Sequence, residues 1–209
     1  QAPISPRDAS RLMRVARATG EVEHRQFLEL DGLLAPGDLL VVNKTKVIPA
    51  RVAGRRPTGG KVELLFHRPL NGSILDATKW LALGKPGKAL KAGGQVILEG
   101  GLTVEVVGRE GPMAVVQAEK PLWGTLESVG ELPLPPYISR PEGNTASDQD
   151  DYQTLFAEEL GAVAAPTASL HFTETVVDRL KQRGIRQAQV TLHVGPGTFL
   201  PVRPECSED

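Results

Sequence analysis

A single cysteine, Cys206, excludes any disulfide within the 209-residue chain and any cysteine-rich zinc site. It fits a reducing cytosol better than secretion. Aromatic residues are scarce: five Phe, two Trp and two Tyr are too few for a broad platform that stacks unpaired bases. Charge of one sign is not in excess either, since 24 Lys and Arg meet 25 Asp and Glu for a formal net charge of -1. That balance excludes a wholesale polyanion binder but leaves room for a local basic patch. Long apolar runs are missing. Residues 39–42 and 162–165 fall far short of the roughly 20 a bilayer-spanning helix needs, so no membrane partner is expected. The first residues carry no signal-peptide apolar region. Without a starting Met, and with no closing element before Asp209, the chain is expected to be a fragment.

What is plentiful is punctuation, with 22 Gly and 17 Pro that divide the chain into short elements. At 40% hydrophobic and 23% charged, it can still bury a core. Residues 39–42 follow a Gly-Asp turn, are apolar on both faces and read as a central strand; a second short strand is expected at 47–53. The β-rich runs 61–66, 95–98, 102–107 and 113–117, split by Gly and Asn clusters, predict an antiparallel barrel or sandwich of about 80 residues. Three prolines within 132–137 mark the return to an α/β body. The acidic stretch with Asp148, Asp150 and Asp151 reads as an exposed loop and helix start, and 152–160 as a helix with Leu155, Phe156 and Leu160 on one side. The expected fold is therefore an α/β body, 1–53 and 132–209, incomplete, carrying an inserted antiparallel β-barrel-like domain at 54–131.

The last third predicts one β-loop-α-β unit. A strand at 162–165 stops at Pro166, Thr173 caps a helix at 174–183, Gly184 ends it, and a strand at 188–194 runs into the turn 195–199. A right-handed crossover makes the two strands parallel. His171, in the first loop, and His193, at the tip of the second strand, then converge on the carboxyl edge where open α/β sheets bind ligands. Thr167 and the helix start beside it supply backbone donors suited to an anion. Lys44, Lys46, Arg51, Arg55, Arg56 and Lys61 form a basic segment with no acidic residue between 44 and 61. It is either a solvated face or a contact for nucleic-acid phosphates. The glycines at 54, 59 and 60 do not form a phosphate loop, because Lys61 follows out of register and no Ser or Thr follows it. The four histidines lack short metal-ligand spacing, so no metal is expected.

Six blocks go further. Gly37-Asp-Leu-Leu-Val-Val-Asn-Lys-Thr-Lys-Val-Ile-Pro-Ala-Arg51, Gly59-Gly-Lys-Val-Glu63, Leu132-Pro-Leu-Pro-Pro-Tyr-Ile138, Tyr152-Gln-Thr154, Gly161-Ala-Val-Ala-Ala-Pro-Thr-Ala-Ser-Leu-His-Phe172 and Thr191-Leu-His-Val-Gly-Pro-Gly-Thr-Phe199 follow one another over essentially the whole chain. In this order they resemble the S-adenosylmethionine:tRNA ribosyltransferase-isomerases of queuosine biosynthesis, truncated at both ends. Two positions depart from the family pattern: Lys44 stands where Asp or Asn is usual, and Ser169 where Gly is usual.

The resemblance implies an enzyme that moves and rearranges the ribosyl part of S-adenosylmethionine onto 7-aminomethyl-7-deazaguanine at the tRNA wobble position; we expect it to be cytoplasmic and monomeric. Epoxyqueuosine-tRNA forms, and adenine and methionine leave. S-adenosylmethionine is a donor substrate here. Asn43, Thr45, Arg51, Pro166, Thr167, Gly195, Gly197 and Thr198 are the expected substrate-binding residues. Lys44, Lys46, Arg55, Arg56 and Lys61 are expected to touch the RNA. Our own reading of the residues assigns proton transfer to His171 and His193. The competing expectation is a truncated, non-catalytic tRNA-binding homologue.

Overall fold

A computed structural model describes residues 4–86, 90–135, 138, 140 and 144–199, and two kinds of β structure divide them. Strands β1 (Arg11–Val15) and β2 (Val22–Gln26) form an antiparallel hairpin. β3 (Leu39–Asn43) and β4 (Thr45–Val47) are one extended stretch interrupted at Lys44. Then come β5 (Arg51–Arg55), β6 (Lys61–Pro69), β7 (Lys79–Lys85), β8 (Gln95–Leu98), β9 (Thr103–Glu110) and β10 (Met113–Ala118). Every pairing among these six is antiparallel. The order β10-β7-β6-β5-β8-β9 returns to its start, so the sheet closes into a barrel.

Alternation with period two explains the closure. Val62, Leu64 and Phe66 of β6, Val104 and Val106 of β9, and Ala114 and Val116 of β10 all point inward and are buried. Phe66 meets Trp80 edge-on, with centroids 6.1 Å apart, and the Trp80 indole N–H donates to the Ala77 carbonyl at 3.2 Å. Helix α1 (Trp123–Val129) adds Leu126, with Leu122 just before it, to the same core. Closure also removes the exposed strand edges that invite aggregation.

The remaining elements build a smaller mixed layer. Helix α2 (Ala146–Asp151) precedes β11 (Glu159–Ala162), which pairs parallel to β4. Helix α3 (Glu174–Gln182) precedes β12 (Arg186–Val190), which pairs parallel to β3. Thr173 caps α3, its hydroxyl accepting from the Val176 N–H at 3.3 Å, and Gly184 ends it with φ +78°. Val176, Leu180 and Ile185 bury with Val42, Phe27, Phe156 and Phe172.

Several expectations need correction. The stretch 152–160 is not a helix; the helix lies upstream, where Thr145 and Asp148 form a capping box. Asp148 is buried rather than exposed, held by a two-pronged Arg140 guanidinium at 2.7 and 2.9 Å. The strand expected at 162–165 ends at Ala162, and the one expected at 188–194 ends at Val190, so His193 sits in the loop beyond the strand tip. In place of a strand at 47–53, β4 ends at Val47 and β5 starts at Arg51. Strand β3 is not apolar-buried on both faces: Leu39 is 52% and Val41 55% exposed. Of the return segment 132–137, residues 136 and 137 lie outside the described residues. No helix among the described residues is long and apolar enough to cross a membrane.

Gly54 and Gly124 make opposite demands on a methyl group. A Cβ at Gly54 would lie 2.8 Å from the Ile97 carbonyl oxygen and from Val96 Cγ1, whereas one at Gly124 in α1 meets nothing within 4 Å. Gly54→Ala is expected to lower stability by about 1–3 kcal/mol by forcing β5 from β8. Gly124→Ala is expected to raise it by about 0.5–1 kcal/mol. Urea titration of both variants checks this; a shared sign would contradict the packing described.

Candidate active site

The site is built where β3–β4 changes partner. The Lys44 N–H donates to the Val190 carbonyl at 2.9 Å, while the Lys44 carbonyl accepts from the N–H groups of Glu158 and Glu159 at 2.9 and 3.1 Å. One extended stretch therefore has β12 along its first half and β11 along its second. The chain segments leaving the carboxyl ends of β11 and β12 are brought to one edge. Leu170 and Val194, the chain neighbours of His171 and His193, pack against one apolar cluster there with Val47, Ala162 and Ala165.

His193 is held from two sides. Its Nδ1 lies 2.7 Å from the Oγ1 of buried Thr45. A Cβ on Gly161 would stand 2.6–2.7 Å from Cε1, Nδ1 and Nε2 together, so the imidazole lies flat over the glycine. Gly161 has φ +152°, a backbone region side chains seldom enter. Asn43 fixes the approach of this loop. Its Oδ1 accepts from the N–H groups of Thr45 and Leu192, each at 3.1 Å, and its Nδ2 donates to the Leu192 carbonyl at 2.8 Å. Past the histidine, the Val163 N–H donates to the Val194 carbonyl at 2.9 Å. Gln153 bonds both backbone groups of Val47, at 2.8 and 3.1 Å, and so anchors the end of β4. The exposed ring thus has a fixed Nδ1 side and, among the described residues, an unbonded Nε2, which can accept a proton in the tautomer whose Nδ1–H donates to Thr45.

His171 is positioned differently. Its Nδ1 lies 2.9 Å from Ser10 Oγ, and its ring tilts at 46° against Phe27 with centroids 5.4 Å apart. No hydrogen bond or ring contact joins it to His193 among the described residues. Pro166 and Thr167 open the short 3-10 helix Thr167–His171, in which Ser169 is buried with an ordinary negative φ. Serine at a family glycine position therefore demands no left-handed backbone here.

Arg51 donates from Nη2 to Glu131 and to Asn144, both at 2.9 Å, and its buried Nε has no partner among the described residues. Gly195 and Gly197 flank the start of the 3-10 helix Pro196–Phe199, and Gly197 is open to solvent. The backbone of Thr198 belongs to this helix. Among the described residues no three His, Cys, Asp or Glu side chains gather closely enough to hold a metal ion.

The cations split into two groups. Lys44 is paired with Glu159 at 3.2 Å and Glu158 at 3.6 Å, and the Glu159 bond, with both carboxylates, raises its pKa. Lys46 is exposed on β4. Arg55, Arg56 and Lys61 lie at the far end of the barrel, on and beside the β5–β6 hairpin.

A sequence model of the queuosine biosynthesis protein family matches residues 1–209. The chain belongs to that family. It is 48% identical over 212 residues to the S-adenosylmethionine:tRNA ribosyltransferase-isomerase of Anaeromyxobacter sp. (strain Fw109-5), covering 100% of this chain and 60% of that one. It is 50% identical over 207 residues to the enzyme of the same name from Anaeromyxobacter sp. (strain K), covering 97% and 59%. A crystal structure of S-adenosylmethionine tRNA ribosyltransferase from Thermotoga maritima is 31% identical, covering 94% of this chain and 55% of that one, with a TM-score of 0.36. The queuosine-family chain thus spans about three-fifths of the length of the curated relatives it matches.

The geometry adds His67, which sequence spacing leaves aside. It sits in a bulge where pairing of β6 with β7 skips a residue between Phe66 and Arg68, and bulges re-aim side chains. The ring abuts Gly195, where a Cβ would lie 3.0 Å from its Cε1, and its buried Nδ1 has no partner among the described residues. Burial first, then the Arg68 charge, lowers its pKa from the ordinary 6.5. Gly161 is also an addition: it opens one of the six blocks, and only the fold shows which ring covers it.

Two outcomes follow. Gly161→Ala is expected to displace the His193 ring while the chain still folds, read as a shifted His193 imidazole resonance by NMR; an unshifted resonance would contradict the stacked geometry. His67 is neutral in the fold at pH values where the unfolded chain already takes up its proton. Stability is therefore complete above pH 6.5 and declines as pH falls below it, until the depressed folded value is passed. His67→Gln is expected to flatten that part of the stability–pH curve, read by urea titration at successive pH values.

Proposed function

We propose that this chain carries the catalytic site of an S-adenosylmethionine:tRNA ribosyltransferase-isomerase, acting in the cytoplasm on tRNA whose wobble base is 7-aminomethyl-7-deazaguanine. The observation that carries this reading is 48–50% identity, over 97–100% of the chain, to enzymes of that name. In domain terms we read 1–53 and 132–209 as the α/β body and 54–131 as an inserted unit.

The chemistry suits the geometry. A sulfonium acidifies the ribose carbon attached to it, and a neutral imidazole at hydrogen-bond reach can take that proton. With Nδ1–H donating to Thr45 Oγ1, the His193 Nε2 carries the free lone pair. The electron pair left on C5′ forms a C5′=C4′ bond as C4′–O4′ breaks, the ring oxygen closes onto C1′ as an aldehyde carbonyl, and the C1′–N bond breaks so that adenine departs protonated. His171, exposed beside Ser10 and Phe27, is the group we assign to supply that proton. The aminomethyl nitrogen then adds to C4′ and gives up a proton, the electron pair returned to C5′ bonds the C1′ carbonyl and closes a five-carbon ring, and the resulting alkoxide displaces methionine from C5′ to form the epoxide. Backbone groups of Pro166, Thr167, Gly195, Gly197 and Thr198, with Asn43, Thr45 and Arg51 behind them, frame the donor's carboxylate and hydroxyls. Sequence-specific RNA recognition favours unstacked loop bases, and a wobble base turned out of the anticodon loop fits a site on an open sheet edge.

Adenine release from S-adenosylmethionine tests the reading. Release is expected only with tRNA bearing the aminomethyl-deazaguanine base, and His193→Ala is expected to slow it by about 10²–10⁴. No release from a folded chain that binds this tRNA would favour the non-catalytic homologue. A loss below about tenfold in His193→Ala would remove His193 from the role of base.

A further inference from the structure

A groove of about 750 Å³ opens at the end of the barrel away from His193, between the β5–β6 hairpin and the ends of β7 and β8. Arg55, Arg56, Lys61 and Lys85 line it, with Glu63 and Glu99 as its only carboxylates among the described residues. All four cations are exposed, and among the described residues none has a carboxylate within ion-pairing distance. That sets them apart from Lys44, Arg51 and Arg140, each held by an acidic side chain.

The pairing register sharpens the point. Arg55 and Lys61 are direct cross-strand partners, and like charges placed directly opposite destabilise a sheet. A fold selected for stability alone has no use for that arrangement, whereas an anion between the two cations turns the repulsion into attraction. Lys85 faces Glu63 across β6 and β7, so the groove keeps a net positive charge.

Its placement fixes the size of the ligand. Strand β6 runs from Lys61 in the groove to His67 beside Gly195, and six residues of extended chain cover roughly 20 Å. Neither S-adenosylmethionine nor a single nucleotide bridges that span. We infer that the groove binds the phosphate backbone of the tRNA at a distance from the wobble base, with Lys85 joining Arg55, Arg56 and Lys61, and with Lys44 taking no part. This rests on the reaction proposed above and deepens it. The barrel would grip backbone without reading sequence, while the sheet edge reads the base.

The test is the salt dependence of tRNA binding. In the chain carrying Arg55→Gln, Arg56→Gln, Lys61→Gln and Lys85→Gln together, affinity for the tRNA is expected to drop at least tenfold near physiological salt. The slope of log K against log salt should shrink by about 0.7–0.9 for each phosphate no longer neutralised. Arg14→Gln, which removes an exposed cation already paired with Glu23, should change neither quantity. Thermal melting of the fourfold variant should match or exceed wild type, because the Arg55–Lys61 repulsion is gone; if it melts lower, Arg56→Gln with Lys85→Gln is read instead. Unchanged affinity and slope in a folded variant would overturn the inference. Wild type that binds tRNA with this slope but releases no adenine would sink the proposed reaction and leave the groove standing.

Discussion

Everything at the candidate site depends on the change of hydrogen-bond partner at Lys44. Its N–H points to β12 and its carbonyl to the start of β11, so a single extended stretch serves two parallel neighbours in turn. Because backbone groups must be paired when buried, this exchange fixes where β12 ends and where β11 begins. It places Thr45 beneath His193 and leaves Gly161, near the end of β11, against the same ring. The side chain of residue 44 contributes little to this, which is why a lysine departing from the family pattern fits, paired outward with Glu158 and Glu159.

Stability and function are divided between the two parts of the fold. The barrel holds the largest buried side chains, Trp80 and Phe66 among them, in a closed sheet with no free edge. The parallel layer is thinner, and its positioning comes from polar clamps: Asn43 on Leu192, Gln153 on Val47, and Arg140 on Asp148. Such groups fix geometry more than they add stability, since a net hydrogen bond is worth about 1 kcal/mol whereas a buried leucine-sized side chain contributes about 2. The two parts meet at the Gly-Pro-Gly turn, where His67 of the barrel touches Gly195.

Elements whose local signals agree with their tertiary setting are legible in the sequence. Strand β8 can be read at its true bounds because Gly93-Gly94 and Gly100-Gly101 isolate it. Helix α3 is legible from its Thr173 cap and Gly184 stop. Strand β7 gives no signal: Trp80, Leu81 and Ala82 are buried in succession, so alternation fails. The spacing of Leu155, Phe156 and Leu160 imitates a helix, while the real start signal lies upstream at Thr145 and Asp148. Both histidines stand out as candidates, but the expected convergence has no contact behind it among the described residues: the His193 ring lies beside Thr45 and Gly161, the His171 ring beside Ser10 and Phe27. The Thr45–His193 bond, the face of Gly161 and the reach of His67 to Gly195 join residues far apart in sequence. No periodicity encodes such contacts.

The most direct test of the account is tritium release from S-adenosylmethionine labelled on the ribose carbon next to sulfur. With the aminomethyl-deazaguanine tRNA, the wild-type chain should release tritium to water as adenine is released, more slowly than adenine because C–T cleavage carries a primary isotope effect. His193→Gln should lose both by about 10² or more. Adenine release with the tritium fully retained, or tritium release undiminished in His193→Gln, would contradict a site built to hold His193 as the base.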